Sequence, residues 1–195
     1  MLSITDIRQN LAGAWALFRA DANGMSLLDT TFRGFWLSFM AIALLAPVYG
    51  LYLAGEQRLM ATVDEPLDVT FGTYLSVRTL TFIVDWVAFP ILMILLVGLI
   101  DRRSRYVPFV VAYNWGGVII ELIVALPTVL FAAGMMPLGL LYVLTLIAMA
   151  VALRYLYIIA RVALFADRTT AVGLVVADFA LSLVLAEAFS RMFGF

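Results

Sequence analysis

Four ionisable side chains lie within long apolar stretches of this sequence: Asp85, Glu121, Arg154 and Asp178. An ionisable group at the centre of a membrane costs at least about 2.5–3.5 kcal/mol on insertion scales. We therefore expect these side chains to face the protein interior and to have partners there. Carboxyl groups in such places take up a proton, bind a cation or pair with arginine. The chemistry open to these residues is proton or cation binding, or a structural ion pair.

The composition excludes most other chemistry. The chain has 195 residues, 65% of them hydrophobic and 13% charged, whereas about 25% of the residues in soluble domains are charged. It contains no cysteine and no histidine, and all 12 basic residues are arginine. Thiolate, imidazole and Schiff-base catalysis therefore lack their side chains. We expect no enzyme activity, no cofactor and no metal site, and the net charge of −1 predicts no nucleic-acid partner.

Five apolar stretches are long enough to cross a membrane, which takes roughly 20 mostly apolar residues. Because a spanning segment must satisfy its backbone hydrogen bonds internally, each stretch is predicted to be helical. The predicted fold is an all-α polytopic membrane domain over residues 31–189. Its spans are residues 31–53, 79–100, 107–133, 138–161 and 170–189.

The arginines predict how the chain is threaded. Basic links lie on the cytoplasmic side of a membrane. Such links hold Arg8, Arg19, Arg102, Arg103, Arg105, Arg161 and Arg168. The predicted loop 54–73 instead has one arginine against Glu56, Asp64, Glu65 and Asp68. These links predict a cytoplasmic N-terminus and an external C-terminus. The arginine-only basic usage is typical of a GC-rich genome, so we expect the bacterial inner membrane.

Residues 1–24 precede the first span and predict an amphipathic helix. Apolar residues recur at helical spacing, with polar residues between them. We expect this helix to lie along the cytoplasmic membrane interface, where it anchors the bundle or docks a soluble partner. The apolar positions are Ile4, Ile7, Leu11, Ala14, Trp15 and Phe18.

The short links allow the depth of the charged residues to be compared. Asp85 and Glu121 are equally far from residue 103, the centre of one link, so they are expected at one level. There they would share a proton as a structural contact, or form a proton or cation site, and Asn114 is included as a further polar candidate.

By the same argument, Arg154 and Asp178 are equally far from residue 166 and are expected at another level. We predict that they form an ion pair that joins the last two spans. The glycines at 116 and 117, and the Gly173–Ala177 spacing, predict close contacts between helices.

Two functions fit these features. The first is a non-catalytic integral membrane protein that acts as a small subunit, assembly factor or membrane-organising adaptor. The alternative is a proton- or cation-coupled transporter or channel that uses the Asp85–Glu121 carboxylate pair. Because five helices are few for a carrier, the alternative implies an oligomer. The expected partners are the lipid bilayer and either other membrane subunits or further copies of this chain.

Two stretches carry a resemblance to a known family. They read LFRADANGMSLLDTTFRGFW, residues 17–36, and YVPFVVAYNWGGVI, residues 106–119. With the predicted five spans and cytoplasmic N-terminal segment, the chain resembles Yip1-type membrane proteins, particularly their uncharacterised bacterial members. The resemblance is mainly one of topology and implies a five-span membrane protein. It transfers no functional residue, and it does not extend to the trafficking role of eukaryotic relatives.

Overall fold

The computed structural model describes residues 3–62 and 70–193. Within these ranges the regular structure is helical, with no β-strand. Three short 3-10 helices, Ala22–Leu27, Met40–Leu45 and Arg103–Arg105, accompany the α-helices. The α-helices are α1 (Ile4–Phe18), α2 (Phe32–Phe39), α3 (Ala46–Thr62), α4 (Phe71–Leu99), α5 (Tyr106–Ala132), α6 (Leu138–Ala163) and α7 (Arg168–Phe193).

The structure confirms an all-helical fold with five segments long and apolar enough to cross a membrane. Each overlaps one of the spans predicted from the sequence, with different ends. The five segments are Phe32–Thr62, Phe71–Leu99, Arg103–Ala132, Leu138–Ala163 and Arg168–Phe193.

The link between the first two spans is shorter than predicted. Helix α3 continues to Thr62, and α4 begins at Phe71, so much of the predicted loop 54–73 is helical. The Thr70 side chain accepts a hydrogen bond from the Thr73 amide at 3.3 Å and caps α4. Three acidic residues used to orient the chain, Asp64, Glu65 and Asp68, lie outside the described residues.

The first span is interrupted by a tighter turn. It consists of α2, the 3-10 helix Met40–Leu45 and α3. Pro47 follows this turn directly and has no amide hydrogen to donate to the preceding turn, which explains the loss of regular α-helical bonding there. The result is a change in helix geometry just before the residues of α3 that line the candidate site.

Helix α5 is the centre of the bundle. It packs against α1, α2, α3, α4 and α6. Four of its large side chains, Phe109, Val110, Val111 and Trp115, are at most 1% exposed. Helix α7 packs against α4 and α6 instead. Only 6% of the most apolar stretch of α7 is buried inside the protein. The bundle is therefore tightly packed around α5 and sparsely packed at α7.

Helix α1 packs on the bundle through a stripe that differs from the predicted apolar face. Its buried residues are Asn10, Gly13, Ala14 and Leu17. In contrast, Ile4 and Trp15, which belong to the predicted apolar face, are 77% and 51% exposed. The stripe is set by contacts with other elements, since the Tyr155 hydroxyl donates a 2.6 Å hydrogen bond to the Ala14 carbonyl.

Helix α7 begins with an aspartate cap whose effect depends on pH. The Asp167 carboxylate accepts a 2.7 Å hydrogen bond from the Thr170 amide, and this bond holds the pKa of Asp167 below its ordinary value. A lowered folded-state pKa means that the carboxylate stabilises the fold above its unfolded pKa of about 4. That contribution is lost as the pH falls through the lowered folded-state value.

We therefore expect Asp167→Ala to lower the thermal unfolding midpoint at pH 7 in detergent. The gap between the variant and the unchanged protein should narrow as the pH falls below about 4. Asp167→Asn keeps a side-chain acceptor without the titration and serves as the control. A gap between Asp167→Ala and the unchanged protein that is the same at pH 7 and pH 3 would contradict the assignment.

Candidate functional site

The three membrane carboxylates meet at one cavity of about 340 Å³. Asp85 reaches it from α4, Glu121 from α5 and Asp178 from α7. Helix α6 closes another side of the cavity with Thr145, Met149 and other residues. We call it the α6-side cavity. The sequence placed Asp178 with Arg154 at a level away from Asp85, whereas the structure brings it to a common cavity with Asp85.

A second cavity of about 260 Å³ shares part of this wall. Its lining also includes Asp85 and Glu121, but its opposite side is formed by Tyr49 and Tyr52 of α3. We call it the α3-side cavity. Arg78 and Thr81 of its lining border a third cavity of about 420 Å³, which includes Glu56 and Glu187. A series of cavities therefore follows the crevice between α4 and α7.

The spacing of residues along each helix explains this arrangement. On α4, Arg78, Thr81 and Asp85 are separated by three and four residues, so they share one face. On α7, Asp178 and Ser182 are four residues apart and share a face in the same way. Because α4 packs against α7, these two polar faces line one crevice.

Two of the three carboxylates accept hydrogen bonds from hydroxyl groups. The Ser182 hydroxyl donates to Asp85 Oδ1 at 2.8 Å, and the Tyr113 hydroxyl donates to Asp178 Oδ1 at 2.8 Å. Glu121 has no hydrogen bond to another residue in the described ranges. Asp85 and Glu121 line both cavities, but the hydrogen-bond partner of Asp85 is Ser182 of α7 and not Glu121. The three groups therefore have different local surroundings around one space.

Asn114 lies two turns along α5 from Glu121 and outside the linings of these cavities. It is fully buried, and its side-chain amide donates a 2.9 Å hydrogen bond to the Ser38 hydroxyl. Its Oδ1 atom has no partner among the described residues. Asn114 therefore joins α5 to α2 and does not belong to the group of carboxylates.

The predicted ion pair between Arg154 and Asp178 is not formed. Arg154 is exposed, and its Nη1 donates to the Phe18 carbonyl of α1 at 3.3 Å. Asp178 faces Tyr113 on the other side of α6. The packing of α1 against α6 supplies the arginine with a carbonyl acceptor, which explains its outward direction. No arginine therefore lies within ion-pair distance of Asp85, Glu121 or Asp178 in the described part of the chain.

A second polar cluster, at the end of the α3-side cavity, was not predicted from the sequence. Glu56 forms an ion pair with Arg78 and accepts hydrogen bonds from the hydroxyls of Tyr52 at 2.9 Å and Tyr74 at 2.8 Å. Glu56 lies in α3, whereas the sequence predicts it in the loop 54–73. The residue spacing could have indicated this cluster. Tyr52 and Glu56 are four residues apart on one helix, and Tyr74 and Arg78 are four residues apart on the next.

The site can hold a positive charge but offers no cluster suited to a metal ion. No group of three or more acidic, histidine or cysteine side chains that could hold a metal occurs in residues 3–62 and 70–193. Carboxylates and hydroxyls can accept a proton or stabilise an ammonium group.

Comparison with known proteins gives no family for this chain: no family model, no curated protein and no solved structure matches it.

Proposed function

We propose that this protein is a transporter or channel of the membrane that binds a proton or another cation at Asp85, Glu121 and Asp178. One observation carries the proposal. The three carboxyl groups line one cavity, and no described arginine forms an ion pair with any of them. Without an arginine, their charge is neutralised by protons or by a bound cation.

A charged carboxylate is costly to bury in a membrane. Three carboxylates left charged and unpaired at mid-membrane would cost several kcal/mol together. A neighbouring arginine would neutralise such a carboxylate permanently, as in a structural ion pair. Here Arg154 is directed away from Asp178 towards the Phe18 carbonyl. The arrangement is thus better suited to a group that changes its protonation or its ligand than to a permanent clamp.

We also propose how the protein is oriented in the membrane and which membrane it occupies. The arginines on the α4–α5 and α6–α7 links support a cytoplasmic position of these links and of the N-terminus. The exposed side chains of Ile4 and Trp15 support contact of α1 with the membrane interface. We place the protein in the bacterial inner membrane, and because five spans are few for a carrier, we expect a homo-oligomer.

The test is proton and cation flux in liposomes. We expect the unchanged protein to dissipate an imposed pH or cation gradient, and we expect Asp85→Asn and Glu121→Gln each to reduce that flux at least tenfold, because each removes a carboxylate of the site. Flux is followed with an entrapped pH- or cation-sensitive dye. Gel filtration and the unfolding midpoint establish that each variant is folded.

Asp101→Asn is the matched control. Asp101 is exposed on the link between α4 and α5 and lies outside the linings of the three cavities. This variant should retain full flux. If folded Asp85→Asn and Glu121→Gln retain full flux, or if the unchanged protein conducts no faster than empty liposomes, the proposal is wrong.

A second candidate is the non-catalytic subunit, assembly factor or adaptor, in keeping with the resemblance to Yip1-type proteins. The observation that favours it is the sparse packing of α7. Only 6% of the most apolar stretch of this helix is buried inside the protein. Such a helix leaves most of its surface for lipid or a partner helix. Native mass spectrometry of the protein from its own membrane would support this candidate if stoichiometric partner chains were found, and the transporter if the chain were alone or a homo-oligomer.

A further inference from the structure

We propose that the ligand of the α6-side cavity is an organic cation with an apolar body. This inference rests on the proposed cation-binding function and narrows the class of ligand. It follows from four features of the cavity, namely its volume, its apolar lining, its aromatic rings and the unequal surroundings of its carboxyl groups.

The volume favours a small organic molecule. At about 340 Å³ the cavity falls at the lower end of the range of small-molecule pockets, about 300–1,000 Å³. A proton needs no cavity, and Ca²⁺ or Mg²⁺ needs six or more oxygen ligands. The described residues offer no cluster suited to a metal ion. The space exceeds what a proton relay alone requires.

Much of the remaining lining is apolar. A ligand with an apolar body would remove this surface from water. Methionine adds adaptability to such a wall because its side chain is unbranched and polarisable. The aliphatic and methionine side chains of the lining are Ile120, Val124, Met149, Leu153, Leu156 and Ile159.

Aromatic rings accompany the carboxyl groups. Phe82 and Trp86 line the cavity with ring centroids 6.3 Å apart, and Tyr113 lines it beside Asp178. Aromatic faces attract cations through their quadrupole, and they do so most strongly away from water. Rings next to carboxylates are the combination that recognises an ammonium group attached to an apolar body.

The three carboxyl groups differ in the hydrogen bonds that they already accept, and therefore in how readily each could pair with a cationic ligand. Asp85 and Asp178 already accept hydrogen bonds from Ser182 and Tyr113. Glu121 accepts none from the described residues. An ammonium group that entered the cavity would therefore pair first with Glu121, and Asp85 and Asp178 would add to the negative field around it.

The test is binding of protonated 4-methoxyphenethylamine to the whole chain in lipid nanodiscs, by isothermal titration calorimetry at pH 7. This probe has an ammonium group, an aromatic body and an ether oxygen. Its uncharged analogue 4-propylanisole is the control ligand. We expect saturable binding of the amine and at least tenfold weaker binding of the analogue to the unchanged protein, a comparison that requires no variant to fold.

Two variants locate the probe. Glu121→Gln should weaken binding of the amine at least tenfold, since it removes the proposed ion pair. Trp86→Leu removes one of the aromatic rings of the lining, and it should weaken binding about threefold to tenfold. The control variants are Glu187→Gln and Trp36→Leu, since Glu187 and Trp36 are exposed and lie outside this cavity. Both should bind as the unchanged protein does.

The outcomes separate this inference from the proposed function. If the amine does not bind, or binds no better than 4-propylanisole, while flux through the protein still depends on Glu121, the organic-cation ligand is wrong and the proton or inorganic-cation function stands. If there is neither binding nor flux, both proposals fail. Binding that Glu121→Gln leaves unchanged would place the amine elsewhere and overturn the inference.

Discussion

Replacing Glu56 by alanine is expected to lower the free energy of unfolding by about 3 kcal/mol. Glu56 is 15% exposed and accepts from the hydroxyls of Tyr52 and Tyr74 as well as from Arg78. The substitution removes the acceptor that these three groups share, and it leaves the charge of Arg78 largely buried. Loss of one partner of a buried ion pair costs more than the pair contributes as a whole.

The measurement is an unfolding titration in mixed micelles, followed by circular dichroism. Glu187→Ala is the control, because Glu187 also pairs with an arginine, Arg191, but both side chains are more than half exposed. We expect this control to change the free energy of unfolding by no more than about 0.5 kcal/mol. Equal losses in the two variants would mean that the Glu56 cluster does not stabilise the bundle.

Replacing Gly55 by alanine is expected to cost about 1–3 kcal/mol of unfolding free energy, although alanine is the better helix former. A Cβ atom at residue 55 would lie 2.7 Å from Thr128 Cγ2 and 2.8 Å from the Thr128 carbonyl oxygen. The second of these atoms is backbone, so α3 and α5 would have to separate. Thr128 is 8% exposed and has little room to move.

Gly50 provides a control in the same helix. A Cβ atom there meets nothing within 4 Å, so Gly50→Ala should be neutral or should stabilise α3 by up to about 1 kcal/mol. The difference between the two alanine variants isolates the close approach of α3 and α5 from helix propensity. If Gly55→Ala were as stable as Gly50→Ala, the contact between α3 and α5 at Thr128 would be looser than described.

The five membrane helices could be predicted from the sequence because their apolar runs are long and their links are short. The ends were harder to place. Capped by Thr70, α4 begins at Phe71, before the predicted start of the second span at residue 79, and α3 continues to Thr62 past Glu56. Apolar length marks where a helix can lie in lipid, whereas caps and local polar contacts determine where it ends. The Glu56 cluster was missed for this reason.

The candidate site was predicted only in its residue types. The links predict how far a residue lies from a helix end, but they do not predict the direction in which it points. Each step along a helix turns the side chain by about 100°, so a small error in the reference point changes the neighbour. Arg154 and Asp178 illustrate this, since the first contacts α1 and the second faces α5.

The glycines also show that residue spacing does not by itself predict which helices come into contact. A Cβ atom at Gly116 would lie 2.9 Å from the Tyr155 ring, and one at Gly117 would lie 3.1 Å from the Trp86 ring. Both sites have the predicted close contacts. At Gly173 nothing lies within 4 Å, although its spacing to Ala177 predicted a contact. A small residue permits close packing, and only the partner helix decides whether the packing occurs.

The contacts of α1 with α6 affect the order in which the helices assemble during synthesis. The Ala14 carbonyl accepts from Tyr155, a residue 141 positions later, and the Phe18 carbonyl accepts from Arg154. At about 5–20 residues per second, a ribosome needs roughly 7–30 s to reach that part of α6. The contacts of α1 with α6 are thus completed late. Until then α1 has only its contacts with the 3-10 helix Ala22–Leu27 and, once it is made, with α5.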